Sequence, residues 1–316
     1  MIEKYYSGVI EQIYNRIGKE TRNIVMANYS NDFSIENLEV IRRYQSNEDN
    51  VFFAYSEFSY NTLVGAYEPF LDIICNMHRR FIGGSFDDFQ KECGVYYLHR
   101  QVLNSYYETG ECFREETVLL NEVAYEQRRM TMAIADMLKK LSEVKPLMIV
   151  INRFQMASKS SIETIKYLID NPCANIGIVL GVNAIVKGTD STVEVWDRIV
   201  ESLEDRSAIY YIGSAGPLKN NVKTTNDDEL YITMNFEQSI QEASNIMEFL
   251  DFEQARRGCR IIEHKLKFED AWIDEKSLRR FYMVYARTSV LLGEMSKAIE
   301  LTNEYKACLL YTSDAA

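Results

Sequence analysis

No apolar run in this sequence approaches the roughly 20 residues that a membrane-spanning helix needs, which argues against a spanning segment. The opening residues, MIEKYYSGVIEQIY, are too polar for a secretory signal, so the expected location is the cytoplasm. Paired metal or disulfide spacings are missing too. Cys75, Cys93, Cys112, Cys173, Cys259 and Cys308 form no CxxC, and His78, His99 and His264 are scattered among them. Reduced cysteines filling small apolar gaps are the expectation, with no metal site. Positive charge is in short supply: 35 Lys and Arg stand against 47 Asp and Glu, a formal net charge of -12. Binding to phosphate backbones or anionic lipid rests on clustered cations, so direct nucleic-acid binding and membrane binding are both disfavoured.

What the chain does contain is the balance of a globular protein. Over 316 residues, 47% are apolar and 26% charged, enough to bury a sizeable core and to argue against disorder. Residues 308–316, CLLYTSDAA, have the form of a translated sequencing adapter and are set aside as a non-native tail. On that expectation the natural protein continues past Ala307 into an output domain.

Tyr5, Val9, Ile13 and Ile17 recur at helical spacing and predict a first helix ending near Gly18. NIVMANY, from Asn23, predicts a strand; SIENLEVIRRYQ a helix; VFFAYSEF, Val51 to Phe58, a second strand; and Tyr67 to Phe81 a helix with Pro69 in its first turn. Residues 82–115, interrupted by glycines, read as short helices. A long helix from about Glu116 is stopped by Pro146 before the strand LMIVI. The series continues with helix SSIETIKYLID, strand NIGIVLG, helix TVEVWDRIVESLE, strand AIYYIG and a last strand near ELYITM. Strands alternating with helices imply a parallel sheet, and runs apolar on both faces imply helices on both sides of it. Beyond Phe236 the pattern is helical. FLDFEQARRGCRIIE and LLGEMSKAIELTNEY there resemble each other, with Ala255 and Ala298 as the small packing residues, which reads either as a repeat or as an ordinary helical subdomain.

The order of these strings resembles the ATPase domain of the signal-transduction ATPases with numerous domains, the STAND branch of the AAA-related P-loop fold. VFFAYSEF…LVGAYEPFLDII is similar to its second strand and following helix. MLKKLSEVKPLMIVINRFQMASKSSIETIKYLI is similar to its Walker B region, NIGIVLGVN to its sensor strand, and LLGEMSKAIELTNEYK to a tetratricopeptide hairpin. The resemblance implies an α/β fold: a three-layer parallel sheet of P-loop NTPase type over residues 1–235, followed by an all-α, tetratricopeptide-like segment over 236–307.

The positions that would carry chemistry depart from that pattern. A phosphate-binding loop needs glycines, a lysine and a hydroxyl. The matching stretch is ANYSNDFS: it begins at Ala27, Asp32 replaces a glycine, Phe33 stands in place of the lysine, and only Ser34 keeps its hydroxyl. At the tip of the LMIVI strand, where one acid would order magnesium and a second would position water, stand Asn152 and Arg153. Arg153 either pairs with Asp32, the first and third strands being expected to neighbour each other, or points into solvent. Asn183, ending the sensor-like strand, either contacts a phosphate or serves as a turn residue. The aromatic residues Phe52, Phe53, Tyr55, Phe58, Tyr60 and Tyr67 read either as core or as a partner surface.

The combined expectation is a non-catalytic regulatory or scaffold module of a bacterial signal-transduction protein, with no cofactor. Its partners would be other proteins, a second copy of the chain, or its own output domain, in related proteins a diguanylate cyclase or a DNA-binding domain. The alternative is a divergent nucleoside triphosphatase that binds ATP and magnesium through other acids such as Asp32 or Glu57.

Overall fold

The computed structural model describes residues 2–29, 38–46, 50–58, 63–115, 118–183, 186–187, 199–204, 209–212, 223–224, 235–268 and 273–313. They divide into two compact units, 1–60 with 67–96 and 129–225, and 61–66 with 97–128 and 226–316.

The first unit is α/β. Five strands, β1 (Ile24–Tyr29), β2 (Phe52–Glu57), β3 (Leu147–Asn152), β4 (Ile176–Asn183) and β6 (Ile209–Ile212), form one sheet in the order β2-β3-β4-β1-β6. Every neighbouring pair is parallel, so all carboxyl ends lie along one edge. A two-residue pair, β5 (Val186–Lys187) with β7 (Lys223–Thr224), was not anticipated from the sequence. The expected strand near ELYITM lies outside the described residues.

Alternation divides the sheet residues. Val25, Ala27, Tyr29, Phe53, Met148, Val150 and Val179 pack with α1 (Ile2–Arg16) and α2 (Glu39–Ser46). The opposite set, including Met26, Leu147, Ile149, Ile151, Ile178 and Leu180, is equally buried, as a sheet covered on both sides requires. On α1 the buried stripe is Tyr6, Val9, Ile10 and Ile13, whereas Tyr5 is 59% exposed. The stripe is therefore rotated from the expected Tyr5-led one, because 6, 9, 10 and 13 fit a 3.6-residue period closely. Gly18, at φ 78°, ends the helix and donates its N–H to the Ala174 carbonyl at 2.8 Å.

Two glycines of β4 set the height of α1 above the sheet. A Cβ on Gly177 would lie 2.9 Å from Ile13 and Ile17, and one on Gly181 would overlap the Tyr6 hydroxyl. Being four residues apart on one strand, they share a face and let the helix approach the backbone directly.

Between β2 and β3 run α3 (Phe70–Met77), a π-helical turn His78–Ile82, α4 (Phe86–Glu92), α5 (Tyr97–Thr109) and α6 (Val123–Val144). Pro69 precedes α3 instead of lying within its first turn: Phe70 donates to the Tyr67 carbonyl at 2.8 Å, and this turn occupies the place of the expected first helical turn. Ser158 caps α7 (Lys159–Asp170) by accepting the Ser161 N–H, and α8 (199–204) follows β4 in the chain. Phe52, Phe53, Phe58 and Tyr67 are buried and Tyr55 is half-buried, in keeping with the core reading; Tyr60 lies outside the described residues.

The second unit contains α9 (Phe236–Glu248), α10 (Phe252–Phe268), α11 (Glu275–Leu291) and α12 (Met295–Ser313). They form two consecutive hairpins with matching turns. Phe249, Leu250 and Asp251 donate backbone N–H bonds to Asn245, Met247 and Ile246; Leu292, Gly293 and Glu294, each 43 residues further on (249 to 292), donate to Thr288, Val290 and Ser289. The similarity of the two sequence stretches thus reflects a repeated structural unit. Among the described residues no helix is long and apolar enough to cross a membrane.

Candidate functional site

In a parallel sheet, ligands are taken up beyond the carboxyl ends of the strands, where successive connections leave in opposite directions. Here the chain leaves β1 toward the far edge strand β2, returns through β3 and β4, and then passes to β6 on the other side of β1. The carboxyl ends of β1, β4 and β3 are therefore the place to look.

One row of residues crosses the sheet at that edge. Glu57 pairs with Asn152, and Ala27 with Gly181; Asn152 and Gly181 each lie one step beyond the paired Ile151 and Leu180. The last two members, Gly181 and Ala27, carry the smallest side chains, which lets larger side chains approach the sheet there. Three buried polar side chains of the protein converge on it. The Tyr29 hydroxyl donates to Asn152 Oδ1 at 2.7 Å, bridging from β1 to β3 over β4. Tyr6 comes down from α1 with its hydroxyl over Gly181 and its ring edge-on to Tyr29, centroids 6.3 Å apart. Tyr6, Tyr29 and Asn152 are fully buried. Burial, and then the neighbouring Tyr29, Tyr55 and Glu57, raise the Tyr6 phenol well above its ordinary pKa, so it stays neutral.

Beside this cluster, Arg153 occupies the left-handed backbone region, φ 53° and ψ 38°, as the strand turns into the short helix Phe154–Met156. Its Nη1 lies 2.9 Å from Glu57 Oε1, and the two side chains are only 20% and 17% exposed. The Tyr55 hydroxyl also donates to Glu57. The Glu57 carboxylate is thus held by a guanidinium and a phenol, and Asn152 Oδ1 by Tyr29. A metal would have to compete with those partners for either group. On the other face of β1, Asn28 is 1% exposed, and neither its amide nitrogen nor its oxygen has a partner among the described residues.

Of the residues singled out in the sequence, Ala27, Asn152 and Arg153 come together along this edge. Asn183 closes β4 as the register partner of Tyr29. Asp32, Phe33 and Ser34 lie outside the described residues. The expectation that the first and third strands are neighbours is corrected: β4 lies between β1 and β3. Arg153 is not solvent-directed: Glu57, on the adjacent β2 and in register with the preceding residue, pairs with it, while the expected pairing with Asp32 falls on a residue outside the described ones. Tyr6, Tyr29 and Gly181 were missed by motif reading. Glycines in NIGIVLG, spaced to share one face of a buried strand, were the available signal.

No family model matches the chain, and no curated protein is significantly similar to it.

Proposed function

We propose that the α/β unit is a catalytically silent relative of the phosphate-handling P-loop domains and works as a regulatory or scaffold module in signal transduction. The observation that carries the reading is the Tyr29–Asn152 hydrogen bond formed over Gly181 beneath Tyr6. Where a hydrolase would hold an ionised acid ready for magnesium, this chain holds a neutral amide already bonded to a buried phenol. Phosphoryl transfer depends on positioning and on stabilising charge, and the group beside Asn152 that could contribute negative charge, Glu57, is paired with Arg153. Two further features support the reading: β1 and β3 end at the same edge, and the sheet is covered on both faces.

A second reading, nucleotide binding without turnover, draws on Asn28, whose buried amide at the end of β1 lacks a protein partner among the described residues. Calorimetric titration with ATP and with GTP, each with magnesium, separates the readings. The silent module predicts no binding heat and no phosphate release. Micromolar binding without release would favour the second reading, and micromolar binding with release would overturn both.

A further inference from the structure

The interior of α10 contains a glycine, Gly258, at a position where only proline is less favourable, so the residue is there for what lies against it. That neighbour is Leu63: a Cβ on Gly258 would stand 2.8 and 3.0 Å from its two methyl carbons. One turn earlier on the same helix, buried Gln254 donates its side-chain amide to the Val64 carbonyl at 3.4 Å. Residues 61–66 belong to the helical unit, and Leu63, Val64 and Ala66 are all buried.

The residue that follows belongs to the α/β unit. Tyr67, fully buried, holds φ 59° and donates its backbone N–H to Ser160 Oγ at 3.0 Å. The Glu68 carbonyl accepts from Ser161 Oγ at 2.7 Å. Both serines lie in the first turn of α7, and the Ser158 hydroxyl that caps this helix is 3.0 Å from one and 2.9 Å from the other. The short helix Phe154–Met156 and Ala157 are all that separates Ser158 from Arg153 in the chain. Between Val64, which touches α10, and Tyr67, which touches α7, stand Gly65 and Ala66, both buried. Consecutive Cα atoms are about 3.8 Å apart, so two intervening residues allow a span of roughly 11 Å and little slack. A bulky residue at positive φ is strained, and it persists only where its surroundings over-determine it. The serine hydroxyls supply that constraint: without them Tyr67 relaxes, and rotation there draws Val64 and Leu63 away from α10.

We propose that residues 63–68 form a tie through which the β3–α7 connection, at whose start Arg153 stands, sets the stability of α10 in the helical unit. The tie is a property of the chain itself and does not depend on whether the sheet edge binds nucleotide. Its two-state element is the Tyr67 backbone, which both attachments bias. Hydrogen exchange of the intact chain, read by mass spectrometry, tests it in Ser160→Ala/Ser161→Ala, in Leu63→Ala, in the combination of all three changes, and in Lys159→Gln as an exposed control in the same helical turn. Circular dichroism checks that each variant keeps its helical content, and Ser161→Ala alone replaces the serine pair if the pair does not. The expected result is exchange across residues 252–268 at least threefold faster than in the parent for the serine variant and unchanged in the control. Adding the serine changes to Leu63→Ala is expected to give no further acceleration. Acceleration confined to residues 147–170, with 252–268 as in the parent, overturns the inference. So does an equal effect of the serine changes with and without Leu63→Ala, or an equal effect in Lys159→Gln, since neither would pass through residues 63–68.

Discussion

Asn152 owes its place at the sheet edge to two residues that carry no charge. Its amide oxygen reaches Tyr29 because Gly181 puts nothing between them, and the Tyr6 hydroxyl fills the space a side chain would have taken. Adding one methyl group at Gly181 would push against the Tyr6 hydroxyl and stand 2.8 Å from Asn152 Oδ1, with both groups enclosed. Overpacking of that kind costs about 1–3 kcal/mol. Gly181→Ala is therefore expected to lower the denaturation midpoint, and Tyr6→Phe, which removes the obstructing oxygen, to recover part of the loss. A double-mutant cycle measured by urea unfolding reads the coupling directly. If Gly181→Ala costs the same in both backgrounds, the close approach of Tyr6 is not what the glycine serves.

At the level of elements, the two hairpin turns solve one backbone problem with different residues. Leu250 and Gly293 both hold positive φ, 68° and 79°. A non-glycine residue there costs about 1–2 kcal/mol. Leu250 offsets the strain by burial, being 5% exposed, and a buried leucine contributes about 1.5–3 kcal/mol. Gly293 has no atom within 4 Å of a would-be Cβ, so a side chain there gains no packing. Gly293→Ala should therefore destabilise by the backbone term alone. Leu250→Gly, despite relieving strain, should also lose stability, because burial is the larger quantity. Thermal unfolding of both variants checks the pair; a more stable Leu250→Gly would reverse the ranking of the two effects.

These elements were legible in the sequence to different degrees. LMIVI and IGIVL read as strands covered on both sides because every residue in them is apolar or glycine, whereas the recurrence of Ala255 and Ala298 fitted a repeat and an ordinary helical subdomain equally. Register was not legible. The meeting of Glu57 with Arg153, and of Tyr29 with Asn152, depends on strand order, and placing β4 between β1 and β3 leaves no trace in local composition. The grouping of residues 61–66 and 97–128 with the helical unit was hidden for a similar reason: they are far in sequence from residues 226–316 and join them by packing.

For the molecule as a whole, the net charge of -12 acts together with how the cations are engaged. Arg153 faces Glu57, Arg43 faces Glu11, Lys91 lies between Asp87 and Asp88, Lys166 faces Asp170, and Lys297 lies between Glu263 and Glu300. Cations paired in this way are held near carboxylates that would repel an incoming phosphate, and affinity for a nucleic-acid backbone grows with the number of phosphates that free cations neutralise. The chain is therefore expected to bind duplex and single-stranded oligonucleotides more weakly than the dissociation constant of about 10⁻⁴ M at the weak end of non-specific binding at physiological salt. Fluorescence anisotropy of labelled oligonucleotides, repeated at low and physiological salt, measures it. A flat titration in both is the expected outcome. Binding that appears at low salt and falls steeply as salt rises would show that a local cationic surface outweighs the global charge, and would return nucleic acid to the set of partners for this chain.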